Sequence, residues 1–372
     1  MSIFRKFLTP LSCRVVAMQR SPKMNTDRQP PDINPVIELL RGVAAVMVML
    51  CHYAVLIQDV ERSWLNFLYT GVDFFFVISG FVFAPLLLSP ARENTAAFAI
   101  RRAFRIYPLF LFAILFYALL PHKTWDNGII LQHALFLHTT ISKEIAFYYN
   151  PAFWSLPVEV EFYLLLGLLV FLKIRNTTPV LLLLSGLSLL TGLWAHHFLP
   201  ENAHTKLVLI HHLSSILPEF LLGTLAYLIS KNCGRLSGFL YGIAGLLLLS
   251  ALGHGFVMHG NAINGMTYGL FNLLCALGYH WIIIACAAFY RHANTTVSWR
   301  LLASGMGNLS YGVYLFHNAM PPLMSAFFEF TGVTLFIASI LTTFMISATM
   351  YRILENPMRK FGRRYAARFY QR

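Results

Sequence analysis

Charge is what this sequence has least of. Only 12% of its 372 residues are Asp, Glu, Lys or Arg, against roughly 25% in a soluble globular domain. That shortfall excludes a chain whose main solvent is water. Cysteine is sparse as well. The five present (Cys13, Cys51, Cys233, Cys275 and Cys286) form no CxxC pair, which excludes a disulfide framework or a zinc site, so no metal is expected. Cys51 adjoins His52, but neighbouring helix positions point about 100° apart, which argues against a dyad within one helix. Internal repeats and low-complexity runs are absent, and no stretch reads as a separate soluble domain.

What is there is apolar. Hydrophobic residues make up 57% of the chain and the mean hydropathy is +0.62. The runs 36–57, 180–199 and 238–257 are each long enough to cross a bilayer, which takes about 20 residues. On that criterion the fold is all-α: a polytopic integral membrane protein with about ten transmembrane helices. They are expected at 36–57, 71–88, 106–120, 155–172, 180–198, 213–229, 238–258, 268–290, 308–327 and 333–354.

The net charge is +13, but the charges sit in the gaps between spans. That distribution points to membrane orientation, not to a nucleic-acid partner. With the N-terminus cytosolic, 23 of the 28 lysines and arginines fall on the cytosolic side. Arg62, Lys123, Lys143 and Lys206 fall on the other, and Arg41 lies within the first span. Both termini are then cytosolic under the positive-inside rule. Residues 1–34 read as a basic cytosolic tail, since they lack an apolar stretch long enough for a signal peptide. Residues 35–354 read as the transmembrane domain and 355–372 as a second basic tail. The longest outer loop carries Trp125, Tyr148 and Tyr149, read first as interfacial anchors.

Ionisable groups inside a membrane cost roughly 2.5–3.5 kcal/mol each on insertion scales, so each asks for a reason. Arg41 and His52 share the first span. Eleven residues turn a helix through about 1100°, some 20° past three full turns, so the two side chains lie on one stripe about 16 Å apart. Asp73, Glu159 and Glu219 enter spans two, four and six from the outer side, at the expected level of His52. A carboxylate beside a histidine orients it and raises its basicity, which suits a general base. Ser155, Glu159 and Tyr163 recur at i, i+4, i+8. Glu161 points about 200° away from Glu159, so Glu159 is the expected partner of His52. Ser310, Tyr314 and His317 share a face of span nine, for packing or for the site. At the inner boundary Arg101, Arg102 and Arg105 form a basic cluster. It serves either as ordinary anchoring or as a phosphate clamp, since guanidinium forks match phosphate geometry.

These pieces, in order, resemble the membrane acyltransferase-3 family. They are Arg41-x10-His52 within ELLRGVAAVMVMLCHY, GVDFFFVISGF from Gly71, RRAFRIYP from Arg101 and FWSLPVEVEFYLL from Phe153. LPEFLLG from Leu217, LSYGVYLFHN from Leu309 and ENPMRK from Glu355 follow. The resemblance runs from about residue 35 to residue 360. Bacterial members O-acetylate surface polysaccharides and related acceptors in the cell inner membrane. The resemblance implies acetyl-CoA, or another acyl-CoA, as co-substrate on the cytosolic side, with no permanently bound cofactor. It implies a glycan or glycolipid hydroxyl as acceptor outside, and membrane lipid as surroundings. It makes His52 the base, Arg41 its partner in the channel, and Arg102 with Arg105 the donor-binding pair. Glu161 departs from the family pattern, which more often has Gln. The extra C-terminal esterase-like domain of some longer members is not expected in this chain. A proton-coupled secondary transporter or flippase is the rival reading, because intramembrane His, Arg and Glu suit transport too. No internal symmetry favours it. Nothing in the sequence sets an oligomeric state.

Overall fold

Asn34 starts the first helix. Its side-chain oxygen accepts from the Val36 backbone N–H at 3.1 Å, and Pro35 fills the first helical position, where a missing N–H costs nothing. The computed structural model describes residues 34–57, 64–121, 123–260, 270–291 and 296–370. The expected N-terminal tail, Arg62 and the expected start of span eight at Tyr268 lie outside them. Among the described residues the secondary structure is entirely helical.

The long helices are α1 (Pro35–Tyr53), α2 (Gly71–Leu88), α3 (Thr95–Ala118), α4 (Ser155–Phe171), α5 (Thr178–Phe198) and α6 (Leu213–Ser230). They continue with α7 (Arg235–His259), α8 (Leu270–Arg291), α9 (Val297–Phe316), α10 (Gly332–Met350) and α11 (Asn356–Ala367). Among the described residues, eight helical runs are long and apolar enough to cross a membrane. The runs holding α3 and α9 are not among those eight, although both helices stand where spans were expected. α3 is 24 residues long and carries Arg101, Arg102 and Arg105 within it.

Two boundaries differ from expectation for physical reasons. α3 begins eleven residues before the expected start at 106, because Asn94 caps it (its side-chain oxygen accepts from Ala97 N at 3.0 Å). The arginines therefore ride inside the helix rather than in a loop. The expected span 308–327 is broken. α9 ends at Phe316, a 3-10 turn covers His317–Ala319, and a separate helix runs Met320–Phe328. Pro321 and Pro322 lack the N–H groups that would bond back to His317 and Asn318, so α9 cannot run on unbroken. The expected C-terminal tail is also ordered: a π-turn over Tyr351–Glu355 leads into α11, which packs along α3. Phe361 of α11 meets Phe104 of α3 at 5.3 Å between ring centres.

α2 is the central helix. Of the Trp64–Leu88 run 67% is buried, against 17% of α5 at the periphery. α2 packs against α1, α6 and α8. Its crossing with α6 is backbone on backbone. A Cβ on Gly80 would sit 1.8 Å from the Phe220 carbonyl oxygen, and one on Gly223 would sit 1.9 Å from that of Val77. Small residues at both positions are what allow so close an approach.

Candidate active site

His52 stands at the C-terminal end of α1, partly exposed. The break after α9 brings His317 to it: His317 Nε2 lies 2.9 Å from His52 Nδ1, with ring centres 4.9 Å apart. The hydrogen-bond network assigns the tautomers. His317 Nδ1 lies 3.0 Å from the Val313 carbonyl, which can only accept, so Nδ1 carries the proton. The Asn318 side-chain NH2 donates to His317 Nε2 at 3.1 Å, so that nitrogen presents a lone pair. His52 Nδ1 must then donate to it. The remaining His52 nitrogen, Nε2, is left with a free lone pair, as a base requires.

This arrangement is itself anchored. Asn318 also donates to Asn150 Oδ1 at 2.6 Å, and Asn150 donates to the Leu315 carbonyl at 3.1 Å. Asn150 Oδ1 also accepts from Ala152 N at 2.8 Å, which starts the turn leading into α4. Tyr53 donates to the His317 carbonyl at 2.6 Å and pairs with Thr343 of α10 at 2.7 Å. Residues from α1, α9, α10 and the turn before α4 thus hold one imidazole.

The carboxylates are not at His52, contrary to expectation. Glu159 accepts from Tyr163 one turn further along α4. Asp73 and Glu219 lie beside each other on a different face of α2 and line a separate recess. His317, expected only as a supporting residue, holds the place assigned to Glu159. The expectation rested on depth, and depth ignores the direction a side chain takes around its helix. Asp73 points about 200° from Phe75, and Phe75 is the residue that faces Tyr314, at 5.5 Å between rings.

Below the histidines lies a small cavity of about 50 Å³, lined among others by Arg41, Ser79, Ser155, Glu159, Ser310 and Tyr314. The expected serine–tyrosine face is present: Ser155 Oγ and Tyr314 OH are 2.5 Å apart, and Tyr314 donates to the Ala152 carbonyl at 2.6 Å. Arg41 reaches Glu38 at 3.5 Å, one turn back on α1. Arg105 lies within electrostatic reach of Tyr163, Glu355, Glu38 and Glu159. Arg102 is caged by the rings of Phe83, Phe98 and Tyr163, at 5.1, 6.0 and 5.7 Å from their centres, and its Nε is buried without a partner. Glu355 and Arg359 pair at 3.3 Å beyond them. Arg101 faces elsewhere. It bonds Glu93 and Tyr370, both at 2.7 Å, and so ties α3 to the C-terminal segment.

The polar groups therefore form a file from Glu355 and Arg359, past Arg105, Arg102, Glu159 and Arg41, to Tyr314 and the histidines. Sequence reasoning missed Asn150, Asn318, Glu38, Glu355 and Arg359 as members. Asn318 follows His317 directly within LSYGVYLFHN, and Glu355 opens ENPMRK, so position in a motif was the available signal. Glu161 lies off this file. It accepts from His212 Nδ1 and, at 2.8 Å, from Leu213 N, and so caps the start of α6. A charged side chain suits that end of a helix dipole.

The family model described as an acyltransferase domain matches residues 34–352. O-acetyltransferase OatA of Staphylococcus aureus (strain NCTC 8325 / PS 47) is 26% identical over 89% of this chain and 58% of its own length. Peptidoglycan O-acetyltransferase OatA of Listeria monocytogenes is 24% identical over 88% of this chain and 56% of its own. The chain thus spans well under two thirds of the length of these curated relatives. No solved structure matches it. With a family match across residues 34–352, the chain belongs to the acyltransferase-3 family.

Proposed function

We propose that the protein is a multi-pass membrane O-acyltransferase of a bacterial inner membrane. In this reading ten spans place both termini in the cytosol. An acyl group, most simply acetyl, passes from cytosolic acyl-CoA to a hydroxyl of a surface or exported glycan outside. The observation that carries the reading is the file of polar residues ending on a histidine with a free lone pair. Arg102 and Arg105 take the donor phosphates at the inner end, since planar guanidinium forks match phosphate oxygens. Glu355 and Arg359 flank them. The pantetheine arm lies along Arg41, Ser155 and Tyr314, and brings the thioester up to His52.

The chemistry needs one base and one direction. His52 Nε2 takes the proton from the acceptor hydroxyl. The oxygen attacks the thioester carbonyl, the C–S bond breaks, and an ester forms. His52 Nε2 passes its proton to the departing sulfur, which restores the base, and coenzyme A leaves toward the cytosol as the thiol. The imidazolium formed on His52 keeps its Nδ1–H on His317, so the positive charge is met by a lone pair held in place by Asn318. Glu159 and Tyr163 line the donor path and do not orient His52. The test is acetyl transfer from acetyl-CoA to a soluble glycan by the purified protein in detergent. Transfer lost in His52→Ala supports the reading; normal transfer in that variant overturns it.

A further inference from the structure

A second recess lies on the other face of α2, at the same end of the bundle as His52. It is a cavity of about 350 Å³ walled by α2, α5, α6 and α8, within the range typical of small-molecule sites. Asp73, Glu219 and Asn272 lie at its polar wall, and Tyr69 and Trp154 add aromatic surface. Asn272 donates to both Asp73 oxygens, at 3.1 and 3.2 Å. Tyr69 reaches Asn272 at 3.5 Å. Glu219 lines the cavity although it is only 6% exposed, and its Oε2 is buried just behind that wall with no partner. An acceptor left so is costly, and a ligand donor reaches it once the carboxyl turns toward the cavity.

The lining decides the ligand class. Among the described residues it contains no arginine or lysine, and it carries two carboxyl groups beside two histidines, His196 and His211. That balance does not suit the phosphates of an acyl-CoA, an anionic lipid headgroup or a phosphorylated sugar. Carboxyl oxygens and an amide beside an indole face suit an uncharged pyranose, whose hydroxyls donate and whose C–H face stacks. The partition from the donor channel is thin. Trp154 lines this cavity, the next residue, Ser155, lines the other, and Trp154 meets Phe76 at 6.2 Å between ring centres.

We propose that this recess is a subsite for a sugar unit of the acceptor adjacent to the one being acylated, which rests on the acyltransferase reading above. Trp154 stacks the ring, and Glu219 with Asp73 accepts from its hydroxyls. A polymeric acceptor would then bind more tightly than a single sugar.

The test is saturation-transfer NMR on the purified full chain carrying His52→Ala, with chitotetraose as probe and N-acetylglucosamine for comparison. Binding is read without turnover, so failure of the catalytic reading leaves this result intact. The expected result is tetramer binding about tenfold stronger than the monomer's, lost by a similar factor on adding Trp154→Ala or the isosteric Glu219→Gln. Thermal unfolding of each variant checks the fold. A folded variant with undiminished tetramer binding, or equal binding of tetramer and monomer, overturns the proposal. So does the absence of chitotetraose binding.

Discussion

The two faces of α2 are built on opposite terms. Toward α1 and α9, three of the four ring nitrogens of His52 and His317 have a partner, and two asparagines lock the arrangement. Toward α5, α6 and α8, two carboxyl groups face one recess, and one of their oxygens is buried and unanswered. The first face holds its proton inventory fixed; the second keeps an acceptor in reserve. A saturated network positions a reacting group, whereas an unsaturated one waits for a ligand.

The largest expected effect falls on the saturated face. His52→Ala should lower acetyl transfer by about 10³-fold or more, with unchanged thermal unfolding, because it removes the base itself. Transfer within tenfold of the parent would break the contrast. Next come the positioning residues. Asn318→Ala should cost about 10–100-fold in kcat with little change in the donor KM, as loss of a supporting shell does elsewhere. The acid limb of the pH–rate profile should move too, a readout that mere loosening would leave in place. Arg102→Lys should raise KM for acetyl-CoA about tenfold, since an ammonium cannot fill the aromatic cage or fork onto phosphate. Its effect on acceptor KM should be negligible. Acceptor KM rising instead would assign that arginine to the wrong end.

A stability prediction tests the seam between the faces. Gly80→Ala forces a Cβ to within 1.8 Å of the Phe220 carbonyl. Overpacking of that kind typically costs about 1–3 kcal/mol, and in a chain of this length each kcal/mol lowers the midpoint by about 2 °C. Gly186→Ala, with nothing within 4 Å, is the control and should be neutral.

The smallest expected effect lies in the outer segment, where His133 and His138 stack at 4.3 Å, outside the candidate spans. Burial pushes His133 down to about 4 and His138 down to about 3 from an ordinary 6.5. Both are therefore neutral when folded, and the unfolded chain takes up more protons below pH 6.5. Stability from this pair is fully present above pH 6.5 and is lost as pH falls toward 4 and then 3. Thermal unfolding at pH 7 and pH 5 should differ by a few degrees more in the parent than in His133→Gln. An unchanged difference would show that the pair does not titrate on unfolding.

Much of this was legible in the sequence. The second span was expected at 71–88 and is Gly71–Leu88. The grouping of Ser155 with Glu159 on α4 and of Ser310 with Tyr314 on α9 follows from helical periodicity; that the two faces meet at one cavity does not. What failed was the inference from shared depth to contact. Asp73, Glu159 and Glu219 entered the argument by level, and level says nothing of azimuth. The histidine's true neighbour was hidden by a second effect: two prolines placed after His317 stop α9 and turn its last side chains toward α1. Glu161 shows the converse. Periodicity separated it correctly from Glu159, but its role at the start of α6 depended on His212, 51 residues away.

α2 has no idle side near its outer half. Asp73 belongs to one recess, Phe75 and Ser79 to the other, Phe76 to the wall between, and Gly80 to the contact with α6. Evolution is left with little room to drift there. Change comes more cheaply elsewhere, on the peripheral α5 or in the segment before α4, where a new side chain alters one recess without disturbing the other.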